Sequence, residues 1–401
     1  MSQPESSRPL WQRIPLYLQI AIALILAVGL GILLRTGQPD PNNSDLINNL
    51  AIPSNMVLKA LRALATPLIL LAVLHTFLTA SIPGKAGRRL AMILLTNTVV
   101  AILVGLLVAN VLRPGTWGGS FDPGTSTAQE VSKTLDPWGL IEGSVPDAIL
   151  QPLVDNNVIQ LIVVALSFGV VLRALKAEQV AHNKIDYVAL EQVIGTLFEA
   201  VVRILSWVIA LVPLAVFGIV AKTVALQGFA PFKALGAFIL AVLVALFLQT
   251  CYYLSRVKFG SWVNPRHFLV GGSDAFLTAF STSSSTVTMP ITFRVLQDKI
   301  GLRESSASLG ALVGSNFNND GTALYEAMSA LFVAQVLGQH LNILQQLIVV
   351  LTSIVASVGA AGIPNAGLVT MTLVFSAVGL PTQYIALLVT VDWFLDRCER
   401  I

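Results

Sequence analysis

Charge and cysteine are the two things this 401-residue chain has least of. Asp, Glu, Lys and Arg make up only 11% of it, against 55% hydrophobic residues and a mean hydropathy of +0.77. Soluble domains carry roughly 25% charge, so this balance excludes an ordinary water-soluble fold and predicts an integral membrane protein. The two cysteines, Cys251 and Cys398, give no disulfide framework, no CxxC pair and no metal-ligand spacing. His75, His182, His267 and His340 fall in four different segments, with no HExxH and no Ser/His/Asp spacing. An intramembrane hydrolase, the enzymatic alternative, would therefore lack a base beside its nucleophile, and the reading is not an enzyme. A net charge of +3 is too small to attract nucleic acid. Met1 to Pro9 are polar, and the apolar run after them has no small-residue cleavage site, so it reads as a retained span rather than a signal peptide.

Apolar runs long enough to cross a bilayer occur at about 15–34, 56–80, 90–112, 149–172, 187–221 and 234–255. The loops between them alternate in charge. Arg8 and Arg13, then Lys85, Arg88 and Arg89, then Arg173, Lys176 and Lys184, then Arg256, Lys258 and Arg266 mark one side. Basic loops stay in the cytoplasm, which places the N-terminus there. The segment 113–148, rich in Gly, Pro and Thr, reads as an external loop with short helices of its own. The fifth run is longer than a bilayer needs and predicts a tilted helix, with Glu199 and Arg203 paired one turn apart.

Past residue 260 the pattern changes. Phe276–Phe280 and Ile291–Leu296 are each too short to span and are separated by Ser281–Pro290, a run of hydroxyl residues ending in proline. Ile343–Ala356 is likewise followed by the Gly/Pro stretch Ser357–Gly367 and another apolar run. Each reads as a helical hairpin that enters the membrane partway and turns back. Each is followed by a span bearing acids: 305–338 with Asp320, and 381–401 with Asp392 and Asp396. Two such units in succession are the pattern of an inverted repeat, whose discontinuous helices meet near the midplane.

Gly314–Thr322 is a run of amides, hydroxyls and one acid between apolar segments. Backbone broken at membrane depth survives only where protein or a polar cavity covers it, and an ionisable residue there is a functional candidate. Asn318, Asp320 and freed carbonyls near Gly314 are hard oxygen ligands for a small cation, and poor ones for transition metals. Ser283 to Thr286, at a half-helix N-terminus, offer hydroxyls and backbone N–H groups to a carboxylate. Gly359, Gly362 and Gly367 around Pro364 permit a mobile turn that would serve as a gate, and Asp396 suits a substrate ammonium.

Four motifs carry a resemblance: Ser284-Ser285-Thr286-Val287-Thr288-Met289-Pro290, Asn318-Asn319-Asp320-Gly321-Thr322-Ala323-Leu324-Tyr325-Glu326, Gly359-Ala360-Ala361-Gly362-Ile363-Pro364, and Val391-Asp392-Trp393-Phe394-Leu395-Asp396-Arg397. In this order, and over nearly the whole chain, they resemble the dicarboxylate/amino acid:cation symporters, the glutamate and neutral amino acid transporter family. The resemblance implies an all-α integral membrane protein of eight transmembrane helices plus two re-entrant hairpins. It also implies a homotrimer and an elevator motion of a transport domain against a scaffold. Helices at about 15–34, 56–80, 149–172 and 187–221 would form the scaffold. Those at 90–112 and 234–255 would join a transport core at 256–401, made of hairpin 1 (267–297), helix 7 (305–338), hairpin 2 (343–378) and helix 8 (381–401).

By the same resemblance, substrate meets Ser283, Ser284 and Ser285 of the first tip and Val358, Gly359, Ala360, Ala361 and Gly362 of the second. Thr322, Asp396, Arg397 and Glu399 complete that set, with Thr322 on the carboxylate and Asp396 on the ammonium. Sodium is assigned to Gly314, Asn316, Asn318, Asn319, Asp320, Ser357 and Asp392, and a further site to Thr96 and Asn97. No cofactor is implied beyond sodium as co-transported cation.

Three departures stand out. Asn319 replaces the usual Met. Glu399 stands three residues after Asp396, where acidic-substrate members carry an arginine that pairs bidentately with a carboxylate. The chain stops at Ile401, before the family's later Asn and Asp, and reads as truncated in its last helix. The expectation is a sodium-coupled symporter of the bacterial inner membrane for glutamate or aspartate, small neutral amino acids or C4-dicarboxylates. The alternatives are an ion channel, or a transport-impaired relative acting as sensor or scaffold.

Overall fold

The computed structural model describes residues 15–36, 46–79, 84–118, 143, 145–155, 157–359 and 366–400, and among these every regular element is a helix. Lipid offers no partner to a free peptide group, so apolar segments of this length close their hydrogen bonds internally. Helices α1 (Leu16–Thr36), α2 (Ile52–Thr79) and α3 (Gly84–Leu112) lead the chain. Then come α4 (Val158–Ala181), started by Asn157 accepting the Gln160 N–H at 3.3 Å, and α5 (Asp186–Ala210). Next are α6 (Val212–Gln227) and α7 (Ala230–Gly260). Segments 16–35, 46–79, 89–116, 186–210 and 231–260 are long and apolar enough to cross a membrane.

One expectation is corrected here. The fifth run is not a single tilted helix. It breaks at Leu211, where Pro213 in the first turn of α6 removes a backbone donor and starts a new helix. The pair within it forms as its spacing requires, with Arg203 Nη2 donating to Glu199 Oε1 at 2.5 Å. The short helices expected in 113–148 fall largely on 119–142, outside the described residues; a 3-10 turn at Pro114–Thr116 is what the described part holds.

Past α7 the chain is discontinuous, as its hydropathy predicts. Helices α8 (Pro265–Thr282) and α9 (Ser285–Arg294) fold back on each other around Ser283 and Ser284. A chain of short turns then runs through Glu304–Ser308 and Leu309–Val313 to Gly314–Phe317 and breaks at Asn318 and Asn319. Helix α10 (Asp320–Val336) starts from that break. Helices α11 (Ile343–Gly359) and α12 (Ala366–Ala377) form the second hairpin, and α13 (Ile385–Glu399) ends the described chain.

Helix α10 is buried along nearly its whole length and forms the centre of the core. Phe238 of α7 packs on Tyr325 and Phe332, ring centroids 6.0 and 4.5 Å away. From the other side α3 approaches through Gly105, where an added Cβ would come within 3.1 Å of Leu324 and Met328. Lipid tails are as apolar as these side chains, so close packing through small residues, rather than expulsion from water, holds such helices together.

Candidate substrate and ion site

The first tip is built by two serines with different tasks. Ser283 ends α8 in the left-handed region at φ 52°, and Ser284 caps α9 by accepting the Val287 N–H on Oγ at 3.2 Å. Both are buried, while Ser285 is half-buried. Arg397 of α13 donates to the carbonyls of Phe280 (2.8 Å) and Ser281 (2.7 Å) and covers the Tyr17 ring at 5.3 Å. Helix ends leave such carbonyls without partners, and a cation there is favourable. Arg397 thus ties the first tip to α13 and α1.

At the helix break, Asp320 is 2% exposed and both its carboxylate oxygens are engaged. Thr98 of α3 donates to Oδ1 at 2.6 Å and Tyr253 of α7 donates to Oδ2 at 2.5 Å. The break therefore joins three helices through one acid. Thr96, the expected third-helix residue, faces outward and bonds its own helix at Met92 O, 2.7 Å away. Asn97 points its Oδ1 at Arg256 of α7. One residue beyond Asn97, Thr98, which was not a sequence candidate, makes the contact to Asp320. The expected free carbonyl at Gly314 is also bound, accepting the Asn318 N–H at 2.8 Å. Asn318 Oδ1, by contrast, is buried without a hydrogen-bond partner.

The acids of α13 gather on the other side of α10. Asp392 and Asp396 are 2% and 3% exposed, one helical turn apart. Arg400 Nη2 lies 3.3 Å from Asp396 Oδ1, its Nε lies 4.0 Å from Glu399, and its Nη1 donates to Asn319 Oδ1 at 3.3 Å. Thr322 donates to Glu399 Oε1 at 2.8 Å. Asn319 Nδ2 reaches across to the carbonyl of Ser357 in α11 at 2.9 Å, while the Ser357 hydroxyl turns back to Ile354 O. The sequence assigns these residues separately to sodium and substrate; the fold links Asn319, Thr322, Ser357, Asp396 and Glu399 in one buried network. Ala360, Ala361 and Gly362 lie outside the described residues, as do the side chains of Asn316 and Val358; Gly359 ends α11.

Thr98, Tyr253, Thr370 and Arg400 take part in these contacts but were not among the sequence candidates. Glu326 belongs with them, fully buried and bound by Thr370 of α12. Its acidic type at membrane depth was a usable signal. Thr98, Tyr253 and Thr370 were hidden because a lone Thr or Tyr in an apolar span has no periodic signature. The resulting site has surplus acceptors: Asn318 Oδ1, Glu326 Oε2, Asp392 Oδ2 and Glu399 Oε2 are all buried without hydrogen-bond partners. Unpaired buried acceptors are costly, and a hydrogen-bond donor, a cation or an ammonium would satisfy them.

A multi-pass, all-α membrane protein with two hairpins and a helix broken at a buried acid has the architecture of a secondary transporter. The family model of the sodium:dicarboxylate symporters matches residues 16–400, and the chain belongs to that family, which comprises transporters rather than enzymes. It is 30% identical over 455 residues to excitatory amino acid transporter 3 of Mus musculus, covering 99% of this chain and 85% of that one. It is 29% identical over 436 residues to an excitatory amino acid transporter of Caenorhabditis elegans, covering 96% and 84%. With excitatory amino acid transporter 1 of Ambystoma tigrinum the figures are 28% over 405 residues, 86% and 73%. The resemblance read from four sequence motifs is borne out.

Proposed function

We propose that this chain imports amino acids into the cell by sodium-coupled symport, the cation binding at Asp320 and the substrate between the two hairpin tips and α13. The observation that carries the reading is the buried acidic cluster. Asp396 and Glu399 meet the Arg400 guanidinium, Asp392 lies buried one helical turn before Asp396, and one oxygen each of Asp392 and Glu399 has no hydrogen-bond partner. An ammonium group answers that arrangement and a second carboxylate does not, which favours an α-amino acid over a C4-dicarboxylate. The names of the relatives, excitatory amino acid transporters, support the same class.

Coupling follows if ion and substrate each favour the closed state of the second hairpin. Asn319 supports this: it lies next to Asp320 in sequence and already holds the Ser357 carbonyl, close to where the second tip begins. Cation binding that reorders the break would be felt at the tip through that bond. In this reading α1, α2, α4, α5 and α6 form a scaffold, α3 and α7 travel with the hairpins, and three copies associate in the inner membrane with cytoplasmic N-termini.

Uptake of radiolabelled aspartate, glutamate, serine, alanine and succinate into proteoliposomes, with and without an inward sodium gradient, tests the proposal. Saturable, sodium-dependent uptake of one or more amino acids is expected. Flux that neither saturates nor needs sodium would favour a channel and refute symport.

A further inference from the structure

Helix α7 carries a polar stripe of which the transport reading uses only Tyr253. Gln249, Tyr253 and Arg256 are spaced four and three apart, so they share one face. That face meets α3 and the Asp320 break. Gln249, 3% exposed, aims Nε2 at the Asn97 carbonyl 3.5 Å away and leaves Oε1 buried without a partner. Tyr253 donates to Asp320, and Arg256 donates to Asn97 Oδ1 while its guanidinium lies 5.7 Å from the Tyr252 ring centre. Asn97 and Thr98 are neighbours on α3, so the Arg256 contact and the Asp320 contact lie side by side on one helix.

A guanidinium keeps its positive charge under all physiological conditions. Placed on Asn97, the residue before the Thr98 that donates to Asp320, it occupies that amide oxygen and brings a fixed positive charge to the same stretch of α3. We propose that Arg256 is a tethered cation that stands in for part of the ion load, weakening sodium binding at Asp320 and so setting the sodium concentration at which transport runs. A plain helix-to-helix bond would not have this consequence, because its loss changes stability and leaves ion affinity alone. The inference rests on the reading of Asp320 as the sodium site.

Sodium titration of the purified full-length chain in lipid nanodiscs, followed by thermal stabilisation with choline balancing the ionic strength, reads affinity without needing transport. Arg256→Gln should lower the half-saturating sodium concentration by roughly fivefold or more, within the usual range of site-to-site coupling. Arg256→Lys, which keeps the charge, should lower it less. Asn97→Asp, close in shape and neutralising Arg256 in place, should also tighten sodium and covers the case in which Arg256→Gln does not fold. Unchanged or weaker sodium binding in Arg256→Gln or in Asn97→Asp overturns the proposal. If the parent protein shows no sodium stabilisation that Asp320→Asn removes, the sodium role of Asp320 falls and this inference with it.

Discussion

Replacing Thr98 by valine removes one hydroxyl and keeps the shape of the side chain, so it isolates the contact between α3 and the helix break. In the structure that hydroxyl donates to Asp320 Oδ1 at 2.6 Å, in a place where Asp320 is 2% exposed. A hydrogen bond to a charged group contributes about 1.5–3 kcal/mol. At about 1.4 kcal/mol for each factor of ten, its loss should raise the half-saturating sodium concentration by roughly ten- to a hundredfold. The hydroxyl either orients the carboxylate or gives its oxygen to the cation, and valine can do neither. Thr96→Val is the matched control: it loses only a bond to Met92 O on its own helix and faces outward. Its effect should stay within about 0.5 kcal/mol, the range of ordinary surface changes. The assay is substrate uptake into proteoliposomes against external sodium at fixed ionic strength. A Thr96→Val defect as large as that of Thr98→Val would refute the geometry of the site, and so would a Thr98→Val protein with unaltered sodium dependence.

Three further expectations follow from the same contacts. Asp396→Ala should abolish amino acid binding while affecting any dicarboxylate binding less; equal loss of both in competition assays would remove Asp396 from the ammonium. Arg397→Ala should destabilise the protein by about 1.5–3 kcal/mol, since two carbonyls at the end of α8 lose a charged donor, and thermal unfolding in detergent would show it. Gly115→Ala should lower the unfolding temperature, because a Cβ there would sit 2.6 Å from Gln335 Cβ and Phe332 O, and overpacking costs about 1–3 kcal/mol.

What the sequence determined by itself was the class of protein and the order of its parts. Sparse charge and long apolar runs make a helical membrane protein unavoidable, because only helices or closed barrels satisfy backbone groups in lipid. The hydroxyl-rich and Gly/Pro-rich interruptions mark both hairpins, and the amide run before Asp320 marks the break, because polar residues at that depth have few other reasons to be there. Partners are a different matter. Thr96, Asn97 and Thr98 are equally plausible as letters, and only the rotation of α3 against α7 and α10 decides that Thr98 meets Asp320 and Asn97 meets Arg256. Arg397 and Arg400 sit three residues apart, yet one reaches the end of α8 and the other Asp396, Glu399 and Asn319. A periodic pattern fixes which residues share a face of one helix; which neighbour that face meets depends on how all the helices pack, and that is settled only in three dimensions.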